Sequence, residues 1–262
     1  MFLLDMRSIN MFNNNTIEIT KYGVLSGKID GAFTIAQLSD LHEKEFGRHN
    51  KQLFEKVYAL SPDIIAVTGD VVAHENQQQA NLPYARNLAE GLSRAAPAFF
   101  VTGNHEKNFD HEIAEALSGG GMTVLRCGVY TMDIRGSRVN IAGMDDLSYG
   151  RADVEKCLDL LRPLHGFNLF LSHRPEVFEL SLKRNIDLIL AGHTHAGQIR
   201  VPALSNLYMN GQGLFPKYVQ GEFTDGDTTM IISRGLGASG FPALRINNPP
   251  DLVAVYVEPG AV

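Results

Sequence analysis

Five short blocks of metal-competent side chains each follow an apolar run, and this coincidence constrains the fold more than any other feature of the chain. The blocks are Asp40-Leu41-His42, Gly69-Asp70, Gly103-Asn104-His105-Glu106, Ser172-His173-Arg174 and Gly192-His193-Thr194-His195. Four close a run that reads as a buried strand: Phe33 to Leu38, Ile64 to Val67, Ala98 to Val101 and Asp187 to Ala191. The fifth follows Asn168 to Leu171. In open α/β sheets, ligands bind just past the carboxyl ends of the strands. The pattern therefore predicts an α/β fold with one site at that edge.

Carboxylate, imidazole and amide oxygen together form an intermediate-to-hard donor set, suited to manganese, iron, zinc, cobalt or nickel rather than to a thiolate-loving metal. The candidate ligands are Asp40, His42, Asp70, Asn104, His173, His193 and His195. That number exceeds one tetrahedral site and suffices for two divalent ions if one carboxylate bridges. Asp70 is the natural bridge. Paired metals clamp the attacking and leaving oxygens of an in-line displacement and lower the pKa of bound water. His105 sits beside Asn104 and need not be a ligand; an imidazole with an ordinary pKa of about 6.5 suits proton donation to a leaving oxygen. Glu106 either orients His105 or, as the preferred reading, caps the next helix.

The ordered set D-x-H, GD, GNH[ED], a lone His and GHxH resembles that of the calcineurin-like metallophosphoesterases. All five elements stand here in order between residues 40 and 195. Leu171 to Glu176, Gly192 to Gln198, Gly213 to Tyr218 and Ser233 to Gly237 narrow the resemblance to bacterial YkuE/YaeI-type phosphoesterases, and it extends over residues 30–258. It implies a four-layer αββα sandwich, two packed mixed β-sheets flanked by helices. It also implies a single domain over residues 1–262, with the motif core at 33–198 and C-terminal strands and substrate loops at 199–258. Asp40, His42 and His195 would hold one metal and Asn104, His173 and His193 the other, with Asp70 bridging and His105 facing the scissile phosphate. Manganese is the foremost candidate, and magnesium joins the alternatives. The implied activity is hydrolysis of phosphate esters, diesters foremost, by metal-bound hydroxide. A ligand-retaining protein-binding scaffold of the same fold, or a metallohydrolase acting on another bond, is the alternative. Two departures from many relatives are Ala73, where an Asp is common, and Ala196-Gly197-Gln198, where Gly-Gly-Gln is common. Ala73 is expected to offer no polar support.

Hydrophobic residues make up 44% of the 262 and charged residues 20%, enough apolar material for a sizeable core. A net charge of −6 argues against a broad nucleic-acid-binding surface. It permits a phosphate substrate, because two divalent ions make a pocket locally positive. Oligomeric state is not readable. Cys127 and Cys157 have no metal-like spacing and read as reduced thiols. Met1 to Leu4 is apolar, but Asp5 and Arg7 interrupt it, so no membrane span or signal peptide is expected. The expected location is cytoplasmic, or peripheral or exported if an N-terminal anchor is missing from this sequence.

Hydrophobic spacing places helices at 50–60 (capped by Asn50), 77–94 (with Pro83 in its first turn), 109–117, 154–161 and 176–183. Residues 16–25 read as an edge strand. The stretches 122–125, 129–134 and 138–142 read as antiparallel-looking strands of a second sheet, and 229–233 and 252–256 as late strands. His49, His74, His111 and His165 read as surface or satisfied histidines. Asp145 and Asp146 form a turn or support the pocket. Arg174, Lys217 and Arg234 are possible phosphate contacts, with solvated surface charge as the competing reading. Phe215 and Tyr218 either line a substrate groove or close the core. Gly235 to Gly240 reads as a loop that lets backbone approach the site.

Overall fold

The computed structural model describes residues 14–73, 80–150, 153–197, 208–209, 213–214, 216–239 and 244–260. The apolar runs form strands because each is buried on both faces, the condition that removes polar alternation from a parallel strand. β1 (Glu18–Ser26), β2 (Phe33–Leu38), β3 (Ile64–Thr68), β4 (Ala98–Val101), β5 (Thr123–Val124) and β14 (Asp251–Pro259) make one six-stranded sheet, in the order β1-β14-β2-β3-β4-β5. β6 (Gly128–Ile134), β7 (Ser137–Gly143), β8 (Phe167–Leu171), β9 (Leu188–Ala191), β12 (Gly221–Asp225) and β13 (Thr228–Ile232) make the other, ordered β12-β13-β9-β8-β7-β6. A two-stranded ribbon joins β10 (Tyr208–Met209) to β11 (Gly213–Leu214).

Successive residues of each core strand divide between two apolar layers, as the period of two requires. Ile35, Ile64, Ala66, Phe99 and Val101 of the first sheet meet Ile141, Leu169, Leu171, Leu188 and Leu190 of the second. Their neighbours Ala36, Leu38, Ile65, Val67 and Phe100 face α1 (Lys51–Leu60), α2 (Leu82–Ser93) and α3 (Asp110–Gly119). On the far side Ala142, Phe170, Ile189 and Ala191 pack with α4 (Val154–Asp159) and α5 (Val177–Ser181). The result is the expected α/β arrangement, two mixed sheets flanked by helices.

β2, β3, β4 and β5 run parallel, as do β7, β8, β9 and β13. The motif loops therefore emerge at the carboxyl ends of parallel strands in both sheets. Buried Gln37 joins the two sheets beneath them: its side-chain amide donates to Thr68 Oγ1 at 3.1 Å and to the Ala191 carbonyl at 2.8 Å.

Several expectations need correction. Residues 122–125 supply β5 of the first sheet, not the second, because β5 pairs with β4. The second sheet is mainly parallel; only β6 and β12 are antiparallel to their neighbours. Asn50 does not cap α1; its side chain accepts from the Phe46 N–H at 3.1 Å and tightens the preceding turn. α2 starts at Leu82, where Asn81 accepts from Tyr84 N–H and Pro83 occupies the first turn as predicted. Cys127 and Cys157 form a disulfide rather than two thiols. It ties the residue before β6 to α4, packing that sequence spacing alone does not reveal. Among the described residues, no helix is long and apolar enough to cross a membrane.

Candidate metal centre

The loops that follow β2, β3, β4, β8 and β9 converge. Five of the seven candidate ligands have positive φ: Asp40 at 51°, His42 at 48°, Asp70 at 53°, His193 at 70° and His195 at 49°. Non-glycine residues adopt this conformation at a cost of about 1–3 kcal/mol each, and they do so at sites that the surrounding structure over-determines. Here the over-determination is visible. Asp40 N–H donates to the Gly69 carbonyl, His42 N–H to Asp70 and Glu43 N–H to Val71, at 2.8 to 3.0 Å. From the other side, Leu236 and Gly237 donate to the carbonyls of Ser39 and Asp40. A side chain on Gly237 would collide with the Leu41 carbonyl, so the loop after β13 approaches closely because glycine stands there.

The side chains meet in overlapping groups. Asp40, His42 and His195 bring ligand atoms within 4.8 Å of one another; Asp70, His173 and His193 do the same, as do His42, Asp70 and His105. His42 Nε2 lies 3.1 Å from His195 Nε2, and His173 Nε2 lies 3.1 Å from His193 Nδ1. Asp70 Oδ2 stands between the groups, 3.3 Å from His173 Nε2, 3.8 Å from His105 Nε2 and 3.9 Å from His42 Nε2. Asn104 joins the same side, with Oδ1 3.4 Å from an Arg174 nitrogen whose neighbour lies 2.9 Å from His193 Nε2.

Main-chain carbonyls set the imidazoles. His42 Nδ1 faces the Val72 carbonyl at 3.2 Å and His173 Nδ1 the Thr68 carbonyl at 2.8 Å, so each presents Nε2 to the cluster. His105 Nδ1 lies 2.7 Å from the Ala73 carbonyl. The expectation that Ala73 offers no polar support is therefore wrong: its backbone oxygen is the acceptor. Glu106 does not cap α3, whose N-cap is Phe109. Its carboxylate accepts the N–H groups of Asp70, Val71, Val72 and Gly103 at 2.7 to 3.2 Å, stapling two motif loops.

Burial drives the electrostatics. It pushes the imidazolium pKa of His42 down to about 4 and, with His173 nearby, that of His193 to about 3. His195 is lowered by burial and by His42. Neutral imidazole is the form that binds metals. Burial would also lower His173, but Asp70 beside it prevails and lifts it to about 10. Burial pushes Asp70 upward, yet His173, His42 and His105 hold it well below the usual carboxylate range. Asp40 is raised by burial to about 6. Burial and then Asp70 raise Glu106 to about 7, against the pull of its N–H donors. Facing imidazole nitrogens with buried carboxylates between them form a donor set that divalent cations fit.

Of the other predicted contacts, Arg174 is in the centre. Its Nε donates to buried Asp146 Oδ2 at 2.8 Å, which places Asp146 in support of the pocket. Arg234 is not: it donates to Glu18, Thr20 and Asp251 at the β1–β14 edge. Lys217 pairs with Glu179, away from the ligands. Tyr218 packs on Phe178 and Phe223 and closes the outer core. Phe215 and His74 lie outside the described residues. Two supporting residues escaped the sequence reading. Asn248 donates to the His195 carbonyl at 2.6 Å, and buried Arg245 donates to the carbonyls of Asn248, Gly237 and Arg234. Their only sequence signal is a polar pair in the Asn- and Pro-rich turn before β14.

The chain matches the family Calcineurin-like phosphoesterase over residues 33–197. It is 30% identical over 248 residues to the metallophosphoesterase YkuE of Bacillus subtilis (strain 168), covering 90% of this chain and 84% of that protein. It is 28% identical over 228 residues to the phosphodiesterase YaeI of Escherichia coli (strain K12), covering 84% and 80%. Among solved structures, the NAD nucleotidase NadN of Haemophilus influenzae superposes with a TM-score of 0.54 at 15% identity, over 83% of this chain and 49% of that one, a likeness of fold. The order of motifs in the sequence, their meeting at one rim and the match across most of the chain agree. The chain belongs to the calcineurin-like phosphoesterase family and is a metal-dependent phosphoesterase.

Proposed function

We propose that the centre holds two divalent cations, manganese foremost, and hydrolyses phosphate esters, with diesters the leading class. Asp40, His42 and His195 would hold one cation and Asn104, His173 and His193 the other, with Asp70 shared. The observation that carries this reading is Asp70 Oδ2, which borders a histidine from each group, at 3.9 Å from His42 and 3.3 Å from His173. When bound, such a pair supplies Lewis acidity and a nucleophile at neutral pH.

The chain's own residues supply the rest. His105 is partly exposed, with its Nδ1 held on Ala73 and its Nε2 3.8 Å from Asp70 Oδ2, and Nε2 is the atom that would protonate a leaving oxygen. Arg174 adds a positive charge on the Asn104–His193 side. The diester preference is supported by the relative named phosphodiesterase YaeI. We read residues 1–262 as one domain. The Cys127–Cys157 bond favours an exported location over the cytoplasm, because disulfides persist in oxidising compartments.

Metal analysis after reconstitution with Mn²⁺, joined to a rate panel on p-nitrophenyl phosphate, its bis-ester and nucleotides, tests the reading. Two equivalents per chain and turnover of the bis-ester are expected. One equivalent, unchanged by His195→Ala, would remove the shared-carboxylate arrangement. A second reading has a specific basis, since His42, Asp70 and His105 also form a ligand group. If His105→Ala loses metal as severely as His193→Ala, His105 is a ligand rather than an acid.

A further inference from the structure

Asp146 comes from the loop after β7, a position that none of the five motif blocks covers. It is 2% exposed. Its N–H donates to Thr102 Oγ1 at 3.1 Å, which ties it across to the loop after β4 in the other sheet. Oδ1 accepts from Ser148 N–H at 2.8 Å. Oδ2 accepts from Arg174 Nε at 2.8 Å. The Arg174 side chain is 18% exposed, and its two terminal nitrogens lie along His193 and Asn104. One end of the guanidinium is thus fixed by a buried carboxylate, while its fork faces candidate ligands at the rim. An arginine whose only task was an ion pair would not need this aim, and a planar fork suits phosphate oxygens.

We infer that Asp146 is a positioning residue that holds Arg174 ready to take a terminal phosphate oxygen, and that this pair sets the balance between monoester and diester substrates. The inference rests on the phosphoesterase reading of the same centre. A monoester presents three terminal oxygens and up to two negative charges, whereas a diester presents two and one. A fixed guanidinium therefore adds most to the ester carrying the extra oxygen and charge. The pair gives the centre a capacity for monoesters in addition to the proposed diester hydrolysis, and for inorganic phosphate, which presents the same three oxygens and a fourth in place of the ester link.

The test uses the Mn²⁺-loaded full chain and the variants Asp146→Asn, Arg174→Ala, Arg174→Lys and the double variant Asp146→Asn/Arg174→Ala. Metal content, calorimetric binding of inorganic phosphate, and kcat/KM for p-nitrophenyl phosphate and its bis-ester are measured. Losing one charge-assisted contact is worth roughly tenfold. Asp146→Asn should weaken phosphate binding and monoester kcat/KM by about that factor, with a loss of less than ~3-fold on the bis-ester and metal content unchanged. The double variant should be no worse than Arg174→Ala, because the two act as one unit. Added guanidinium should restore part of the monoester rate to Arg174→Ala, and Arg174→Lys should fall between it and the parent. Equal losses on both esters, additive losses, or unaltered phosphate affinity in Arg174→Ala would overturn the inference. If Asp146→Asn does not fold, the partly exposed Arg174 variants decide. If the parent chain with metal cleaves neither ester and binds no phosphate, the phosphoesterase reading falls and this inference with it.

Discussion

Asp70 carries more of the centre than any other side chain. Its carboxylate faces His42, His105 and His173, and its Oδ1 also accepts the His105 N–H at 2.9 Å. Asp70→Asn removes the charge that offsets any cations bound there, so activity should nearly vanish and metal affinity should fall at both positions. His105→Ala should keep the metal and lose turnover by roughly 10²-fold or more, the usual range for a proton donor. Metal analysis beside rate measurement separates the two. His173 makes a second, pH-dependent expectation. Its folded pKa of about 10 stands above the ordinary value of 6.5, so the stability it contributes is complete below pH 6.5 and is lost as pH rises through 10. Asp40 and Glu106, raised to about 6 and 7, are essentially ionised in both folded and unfolded chains above pH 8. Chelator-treated protein should therefore melt at progressively lower temperature between pH 8 and 10, and His173→Asn should flatten that slope. An equal slope in the variant would show that another group is responsible.

The motif loops are short segments between rigid strands, and they depend on one another more than on their own sequences. Glu106 is the clearest joint. It satisfies four N–H groups belonging to the loops after β3 and β4, and it is fully buried. Glu106→Gln keeps the shape but turns one acceptor oxygen into a donor, leaving two of those N–H groups facing an amide NH2. A buried donor without an acceptor costs about 1–3 kcal/mol, so for two a loss of roughly 2–6 kcal/mol is expected, read by denaturant unfolding. Metal binding should weaken too, because Asp70 N–H is among the donors. Gly103 belongs to the same joint: a side chain there would strike the Asp70 carboxylate. Helix boundaries show the weaker side of local reading. Asn50 precedes α1 and has the right chemistry for a cap, yet a tighter turn at Phe46 takes its oxygen.

Two layers of helices hold two sheets face to face, and the centre lies where the parallel strands of both sheets end. Gln37, Thr68 and His173 bridge the sheets just beneath it, and because each ligand group draws side chains from both sheets, the separation of the sheets sets how closely the ligands within each group approach. Outside this region the disulfide anchors the outer helix layer, closing a 30-residue separation between Cys127 and Cys157. In the chain-entropy account a loop of that length contributes about 3–4 kcal/mol. Cys127→Ser should lower stability by that order while leaving metal content and kcat unchanged at moderate temperature. A variant as stable as the parent would show that α4 packing alone suffices.

The amino-acid sequence by itself determined the strand runs behind the five blocks and the α/β class, and it put forward the seven candidate ligands, because these depend on local facts: continuous apolar burial and a ligand-competent side chain just past each run. It could not decide which sheet residues 122–125 join, since β-pairing is a choice among partners far apart in the chain. Nor could it assign Glu106, whose four donors come from two loops, or the Ala73 carbonyl, which has no residue-specific signature because every amino acid carries one. Arg174 and Arg234 look equivalent in sequence. Tertiary structure separates them: Asp146 from the second sheet aims one into the centre, while Glu18 and Asp251 hold the other at an edge. The cysteine pairing, the aim of each imidazole and the use of each buried charge were settled by contacts between segments tens of residues apart, where chain folding brings the groups together and sequence spacing carries no information.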